Sequence, residues 1–164
     1  MEKEKETKSK TEEIRMEDKI ALTSIAPWLT GFNRIISTGC VSIPPNGTVR
    51  VSREEVIAQA QSNNKLIAGI DGMGSHATLY IEDEWTRKEL GFDTEDKKQT
   101  VVNKKLVKEL FEKKTLASFK KAVEEAIVTR SEKFSLLSMI KTLKINEYDK
   151  VAFCEEYCGA KLNA

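Results

Sequence analysis

Residues 41–61 read VSIPPNGTVRVSREEVIAQAQ, and this stretch decides the fold class. Val41-Ser42-Ile43 and Thr48-Val49-Arg50-Val51 flank Pro44-Pro45-Asn46-Gly47. An Asn-Gly step between two β-branched runs is a hairpin turn signal. Side chains alternate across a strand, so Val49 and Val51 share one face and Thr48 and Arg50 the other. Ser52-Arg53-Glu54-Glu55 then matches a capping box, with Ser52 as N-cap and Glu55 expected to reach back to it. Val56, Ile57 and Ala60 follow at helical spacing, so a helix is predicted to run to about Gln61 and to end at Ser62-Asn63-Asn64. Strands that give way to a capped helix within one short run indicate an α+β chain.

On either side the texture differs. Lys65–Ile70 and Ala77–Ile81 read as two further strands around the loop Asp71-Gly72-Met73-Gly74-Ser75-His76, and Trp28–Ile36 reads as a strand interrupted near Pro27 and Gly31. From about Val101 the apolar period becomes helical. Leu106, Val107, Leu110 and Phe111 form one stripe. Leu116, Phe119, Val123 and Ile127 form a second, with Thr115 as its N-cap. A third runs from Ser131 through Phe134, Leu136, Leu137 and Ile140. The last opens at Asn146, continues through Val151, Cys154, Tyr157 and Cys158, and reaches a C-cap glycine at Gly159. The expected organisation is a disordered charged tail over residues 1–19, a small β-rich sandwich or barrel over 20–96, and a short-helix C-terminal module over 97–164. An open sheet of few strands would leave edges suited to oligomerisation or docking.

The 164 residues include 27 Lys+Arg against 26 Asp+Glu, with 40% hydrophobic and 32% charged residues, enough for a modest core. The near-zero balance hides an asymmetry. Residues 20–96 carry six basic and ten acidic side chains, whereas residues 97–164 carry fifteen basic and nine acidic ones. No run approaches the roughly 20 apolar residues of a membrane span, and MEKEKETKSK has no apolar h-region, so neither a membrane protein nor a cleaved secretory signal is expected. Three cysteines and one histidine argue against a disulfide framework or a His-rich metal site, so a reducing interior is the expected setting.

The strings that could carry chemistry fail on geometry. Gly72-Met73-Gly74-Ser75-His76-Ala77 matches G-x-G-x-x-A, but Thr78-Leu79-Tyr80-Ile81 follows as a strand, where a dinucleotide site needs a helix N-terminus. Ser75 and His76 are neighbours on extended chain and point apart, which places them poorly for a nucleophile and its base. Cys154 and Cys158 are spaced on one helical face, as core thiols rather than as half of a zinc site. Glu82-Asp83-Glu84 and Asp93-Glu95-Asp96 read as solvated charge without calcium-loop spacing. No catalytic residue, cofactor or metal is therefore expected, and the chain is not expected to be an enzyme.

The strongest lead is basic. Residues 97–121 hold nine lysines against two glutamates, and Lys104, Lys105 and Lys108 fall off the Leu106/Leu110 stripe onto an exposed helical face. Such a face suits an acidic protein surface or a phosphate backbone. It lacks arginine and free aromatics, so nucleic-acid binding through it would be nonspecific. Met73 and His76, in the glycine loop, are the other candidate partner-binding residues.

VSIPPNGTVRVSREEVIAQAQ with NKLIAGIDGMGSHATLYIED, residues 41–83, and YDKVAFCEEYCG, residues 148–159, resemble small bacteriophage-encoded proteins of uncharacterised role. The resemblance implies a virion component or an accessory protein, in the host cytoplasm or the particle, and carries no functional residue with it. The expected function is a non-enzymatic protein-interaction or assembly protein whose partners are other subunits, copies of itself included. The alternative is a nonspecific nucleic-acid-binding accessory that uses the lysine face.

Overall fold

The structure is a computed structural model that describes residues 13–162, in which five strands and seven helices are assigned. The chain is α+β. Residues 1–12 of the expected tail lie outside the described residues. Residues 15–18 lead into strand β1 (Lys19–Ser24), and their carbonyls meet the start of helix α1 (Arg53–Gln61). Asp18 accepts from the Arg53 amide at 2.8 Å and Met16 from the Glu54 amide at 2.9 Å, so two of the orphan N–H groups of that helix are satisfied by the preceding chain.

A turn forms over Pro44–Gly47 with Pro45 and Asn46 at its centre, but it closes no hairpin. Asn46 takes a left-handed φ of 52°, and the Gly47 amide donates to the Pro44 carbonyl at 2.9 Å. It joins β3 (Cys40–Ile43) to β4 (Thr48–Ser52), yet these strands do not pair with each other. β4 pairs antiparallel with β1, which also pairs antiparallel with β5 (Leu79–Ile81), while β3 pairs with β2 (Thr30–Asn33) in a separate two-stranded ribbon. No barrel closes, contrary to the expectation that left that architecture open. Strands of three to six residues in two separate sheets are too few and too short to complete the hydrogen-bonded circuit. The two sheets and α1 instead enclose one core of Ile20, Leu22, Ile43, Val51, Val56 and Phe92, together with their neighbours.

Two local assignments also change. Lys65–Ile70 is not a strand: Lys65–Ala68 forms a short helix, α2, because Asn64 caps the Leu66 amide and Gly69, at φ 75°, ends the turn. A six-residue apolar run has no periodicity long enough to separate strand from helix. The acidic run at 82–84 starts a helix, α3 (Glu84–Glu89), with Asp83 as N-cap. Asp83 also pairs with the buried Arg53 at 3.4 Å, and Arg53 lies against the Trp85 ring.

The four predicted stripes become α4 (Lys104–Phe111), α5 (Leu116–Ala126), α6 (Arg130–Thr142) and α7 (Tyr148–Cys158). They bury Val107, Phe119, Val123, Leu136, Ile140 and Cys154 in a second core. Lys150 Nζ donates at 2.8 Å to the carbonyls of Phe111 and Lys113, placing a cation at the carbonyl end of α4. Ile25, from the chain just after β1, is buried among these helices rather than under the sheet. Trp28 meets Phe134 edge-on at 5.7 Å, and the Arg130 guanidinium stacks over Trp28. The β-rich and helical parts are thus packed together.

The segment 93–99 between them is tied down. Asp93, expected at the surface, is buried, accepting from Arg87 Nε at 2.9 Å and from the Gln99 amide at 2.8 Å. Burial pushes its carboxyl up, but the Gln99 amide and Arg87 outweigh this and hold it below the usual aspartate range. A depressed native value means that the stabilisation is present above the ordinary aspartate pKa and is lost as pH falls through the native one. We therefore expect Tm to fall on acidification below about pH 4. Arg87→Met leaves the Asp93 charge buried without its partner and is expected to cost about 3 kcal/mol at neutral pH in a urea titration. A loss under 0.5 kcal/mol, about the noise of a surface substitution, would show that the pair is not what holds this segment.

Candidate functional site

The glycine loop between α2 and β5 is built around close backbone contact. Asp71 Oδ1 accepts from the amides of Met73 at 2.8 Å and Ser75 at 3.2 Å, which folds the loop onto itself. A Cβ on Gly69 would stand 2.1 Å from the Ser75 carbonyl oxygen, and one on Gly74 would stand 2.7 Å from the Phe92 ring. Both glycines have positive φ, so this compact path is open to glycine alone. Strand β5 follows, so no helix starts directly after the glycines as a dinucleotide site requires. Ser75 Oγ meets Lys97 Nζ at 3.0 Å, while His76 turns elsewhere, so the two residues form no nucleophile–base pair.

His76 points inward across the junction of the two cores. Its Nδ1 lies 2.8 Å from Glu132 Oε1 and 3.1 Å from Oε2. Glu132 is only 5% exposed, and its Oε1 also accepts from the amides of Val128 and Thr129 and from the Thr129 hydroxyl. Thr129 and Glu132 form the capping box of α6, so the carboxylate satisfies the first turn of its own helix while it holds the loop histidine. His76 keeps a left-handed φ of 58° in doing so. Beside it, Thr78 Oγ1 donates to Ser131 Oγ at 3.0 Å. His76 is therefore a junction residue, whereas Met73, with its side chain toward Gly91, is 45% exposed at the surface of the loop.

Lys104, Lys105 and Lys108 stand exposed on α4, opposite Val107, Leu110 and Phe111. No ion pair among the described residues involves them. No hydrogen bond among the described residues joins them to Met73 or His76, although the loop and α4 line one cleft through His76, Leu106 and Leu110.

A third place was not singled out from the sequence. Glu55 does not complete a box with Ser52, which only accepts from the Glu55 amide. Its side chain turns away to accept from the amides of Ile35 at 2.5 Å and Ile36 at 2.7 Å, and from the Gln59 amide group. Glu55 is 1% exposed, while Ile35 and Ile36, at the tip of the β2–β3 hairpin, are 50% and 51% exposed. Burial pushes Glu55 up, yet the two backbone amides and Gln59 hold its pKa below the usual glutamate range. A buried charge thus fixes the backbone beneath two apolar side chains that face solvent. Leu29, 67% exposed, lies at the other end of the same ribbon. The signal available in the sequence was Ile35-Ile36 itself, flanked by Arg34 and Ser37-Thr38-Gly39 with no apolar partner in register.

Among the described residues, no grouping of His, Cys, Asp and Glu could hold a metal ion, and no helix is long and apolar enough to cross a membrane. Cys154 is buried as expected and its thiol is pushed up to about 12 by burial; Cys158 is half-buried and pushed up to about 11. Cys40, at the exposed start of β3, is not a core thiol. A thiol reagent under native conditions is expected to modify Cys40 first and Cys154 only on unfolding. Glu55→Gln is expected to cost about 1–3 kcal/mol and to speed amide exchange at Ile35 and Ile36 ahead of the rest of the chain. Unchanged exchange at those two amides would show that Glu55 does not hold the tip.

No protein-family model, no curated protein and no solved structure matches this chain.

Proposed function

We propose that this chain is a non-enzymatic assembly protein that docks on other protein subunits through the β2–β3 hairpin, with a second copy of itself as the partner. The observation that carries the reading is the Glu55 pin, which commits a buried carboxylate to presenting Ile35 and Ile36 to solvent. A pre-organised apolar tip loses little freedom on docking, which is where much of the cost of association otherwise lies. Among the described residues the ribbon it belongs to pairs only within itself, leaving strand edges that another chain could extend.

The charge distribution favours a second copy. Residues 20–96 carry four more acidic than basic side chains and residues 97–164 six more basic than acidic ones, so the β-rich part of one molecule attracts the helical part of another. A head-to-tail contact of this kind generates rings or filaments, the geometries of particle parts. The resemblance to bacteriophage-encoded proteins accords with that setting, and the reading proposes the host cytoplasm or the virion as its location.

Light scattering on a size-exclusion column tests the reading directly. The expected result is a defined oligomer that dissociates in the double variant Ile35→Ser, Ile36→Ser, with unchanged far-ultraviolet circular dichroism. The triple change of Lys104, Lys105 and Lys108 to Glu is expected to weaken the same association. A monomer at all concentrations up to the millimolar range would overturn self-association through this hairpin. The unpaired lysines of α4 favour one second reading, nonspecific binding of nucleic acid. It requires an affinity whose logarithm falls linearly with the logarithm of salt concentration, and the lysine variant would abolish it while the isoleucine variant would not.

A further inference from the structure

A cleft of about 410 Å³ lies between the glycine loop and the facing sides of α4 and α5. Its size is ordinary for a small-molecule site, and junctions between packed units are where such sites concentrate. The apolar wall is made by Val101, Leu106, Leu110, Ala122 and Ala126. His76 and Glu132 open onto the same space, and Glu109, Glu125 and Lys113 complete its charged lining. Three carboxylates thus face one lysine.

The hydrogen-bonding capacity left at His76 and Glu132 is for donors. In the tautomer that carries its proton on Nδ1 toward the carboxylate, His76 offers Nε2 as an acceptor. Glu132 Oε1 is occupied by the amides of Val128 and Thr129, the Thr129 hydroxyl and His76, whereas Oε2 meets only His76 Nδ1 among the described residues. A carboxylate oxygen has room for a second donor. His76 is meanwhile held at an unfavourable φ of 58°, a backbone cost of the kind found where a side chain must be kept in one orientation.

We infer that the cleft binds a small primary ammonium ion carrying a hydrocarbon body. The body lies on the Leu106, Leu110 and Ala122 wall, and the ammonium donates to His76 Nε2 and Glu132 Oε2. An anion of the same shape meets three carboxylates, with Lys113 as the one cation in the lining. No residue of the hairpin tip lines the cleft, and the binding stands whether or not the molecules associate.

The test is a titration of the labelled full chain with benzylamine, followed by amide shifts in NMR, with phenylacetate as the anionic analogue. Saturable shifts at His76 and Leu106 are expected, with a Kd on the order of 1 mM for so small a ligand. Phenylacetate is expected to bind at least about tenfold more weakly. Ala122→Leu fills the apolar wall without touching a charge, and it is expected to abolish the shifts while circular dichroism stays that of the parent. Glu132→Gln is the less decisive variant because it also weakens the α6 cap. No saturable shift with benzylamine, equal affinity for phenylacetate, or undiminished binding in a folded Ala122→Leu protein would each overturn the assignment.

Discussion

The Glu132 carboxylate is the interaction on which the rest of the structure depends. Removed from water, it must be matched by donors, and four groups supply them: two amides, the Thr129 hydroxyl and the His76 ring. Three of these belong to the start of α6, and one of them, the Thr129 amide, is the ordinary capping-box bond. The fourth comes from 56 residues earlier in the chain and joins the β-rich part to the helical one. Around that contact the Thr78–Ser131 hydrogen bond, the Trp28–Phe134 ring pair and the burial of Ile25 act in the same direction. Two small cores, each marginal by itself, gain from sharing a boundary.

The glycine loop is shaped to serve this contact. Gly69 and Gly74 are pressed against the Ser75 backbone and the Phe92 ring, and Gln99 donates from its side chain to the Gly74 carbonyl at 2.9 Å. Gln99 is in turn held through its amide by Asp93, and Asp93 by Arg87. A continuous set of polar contacts therefore runs from α3 through the connecting segment to the loop that carries His76. A second buried carboxylate, Glu55, plays the equivalent part at the β2–β3 hairpin. There it fixes a hairpin tip whose isoleucines have no partner within the described residues. The two carboxylates have different consequences: one closes the molecule on itself and the other presents a surface.

Local chemistry was legible in the sequence wherever it was sufficient to decide the structure. The Asn46-Gly47 turn, the Ser52 cap, the four helical stripes and the Gly159 cap with its φ of 72° follow from residues within one turn of each other. Lys65–Ala68 was misread because a single Asn64 side chain decides between strand and helix there. The Thr129-Arg130-Ser131-Glu132 box was written in the sequence as plainly as the Ser52 one, but a helix start at Ser131 passed over it. The candidate sites were less legible, since each depends on partners distant in sequence. Nothing near Glu55 says that it will meet Ile35 and Ile36, and nothing near His76 says that it will turn from solvent to Glu132. Asp93 looked like surface charge because the Arg87 and Gln99 groups that bury it appear only once the chain has folded. The lysines of α4 were legible, since an exposed helical face needs no partner to define it.

If the Glu132–His76 contact makes one cooperative body of the two cores, they must open together. Native-state hydrogen exchange at Leu22 in β1 and Val123 in α5, measured against increasing urea, tests this most directly. The account predicts that both amides exchange through the same opening, with one free energy and one urea dependence. Separate free energies, with the helices remaining protected after the sheet has opened or the reverse, would contradict it.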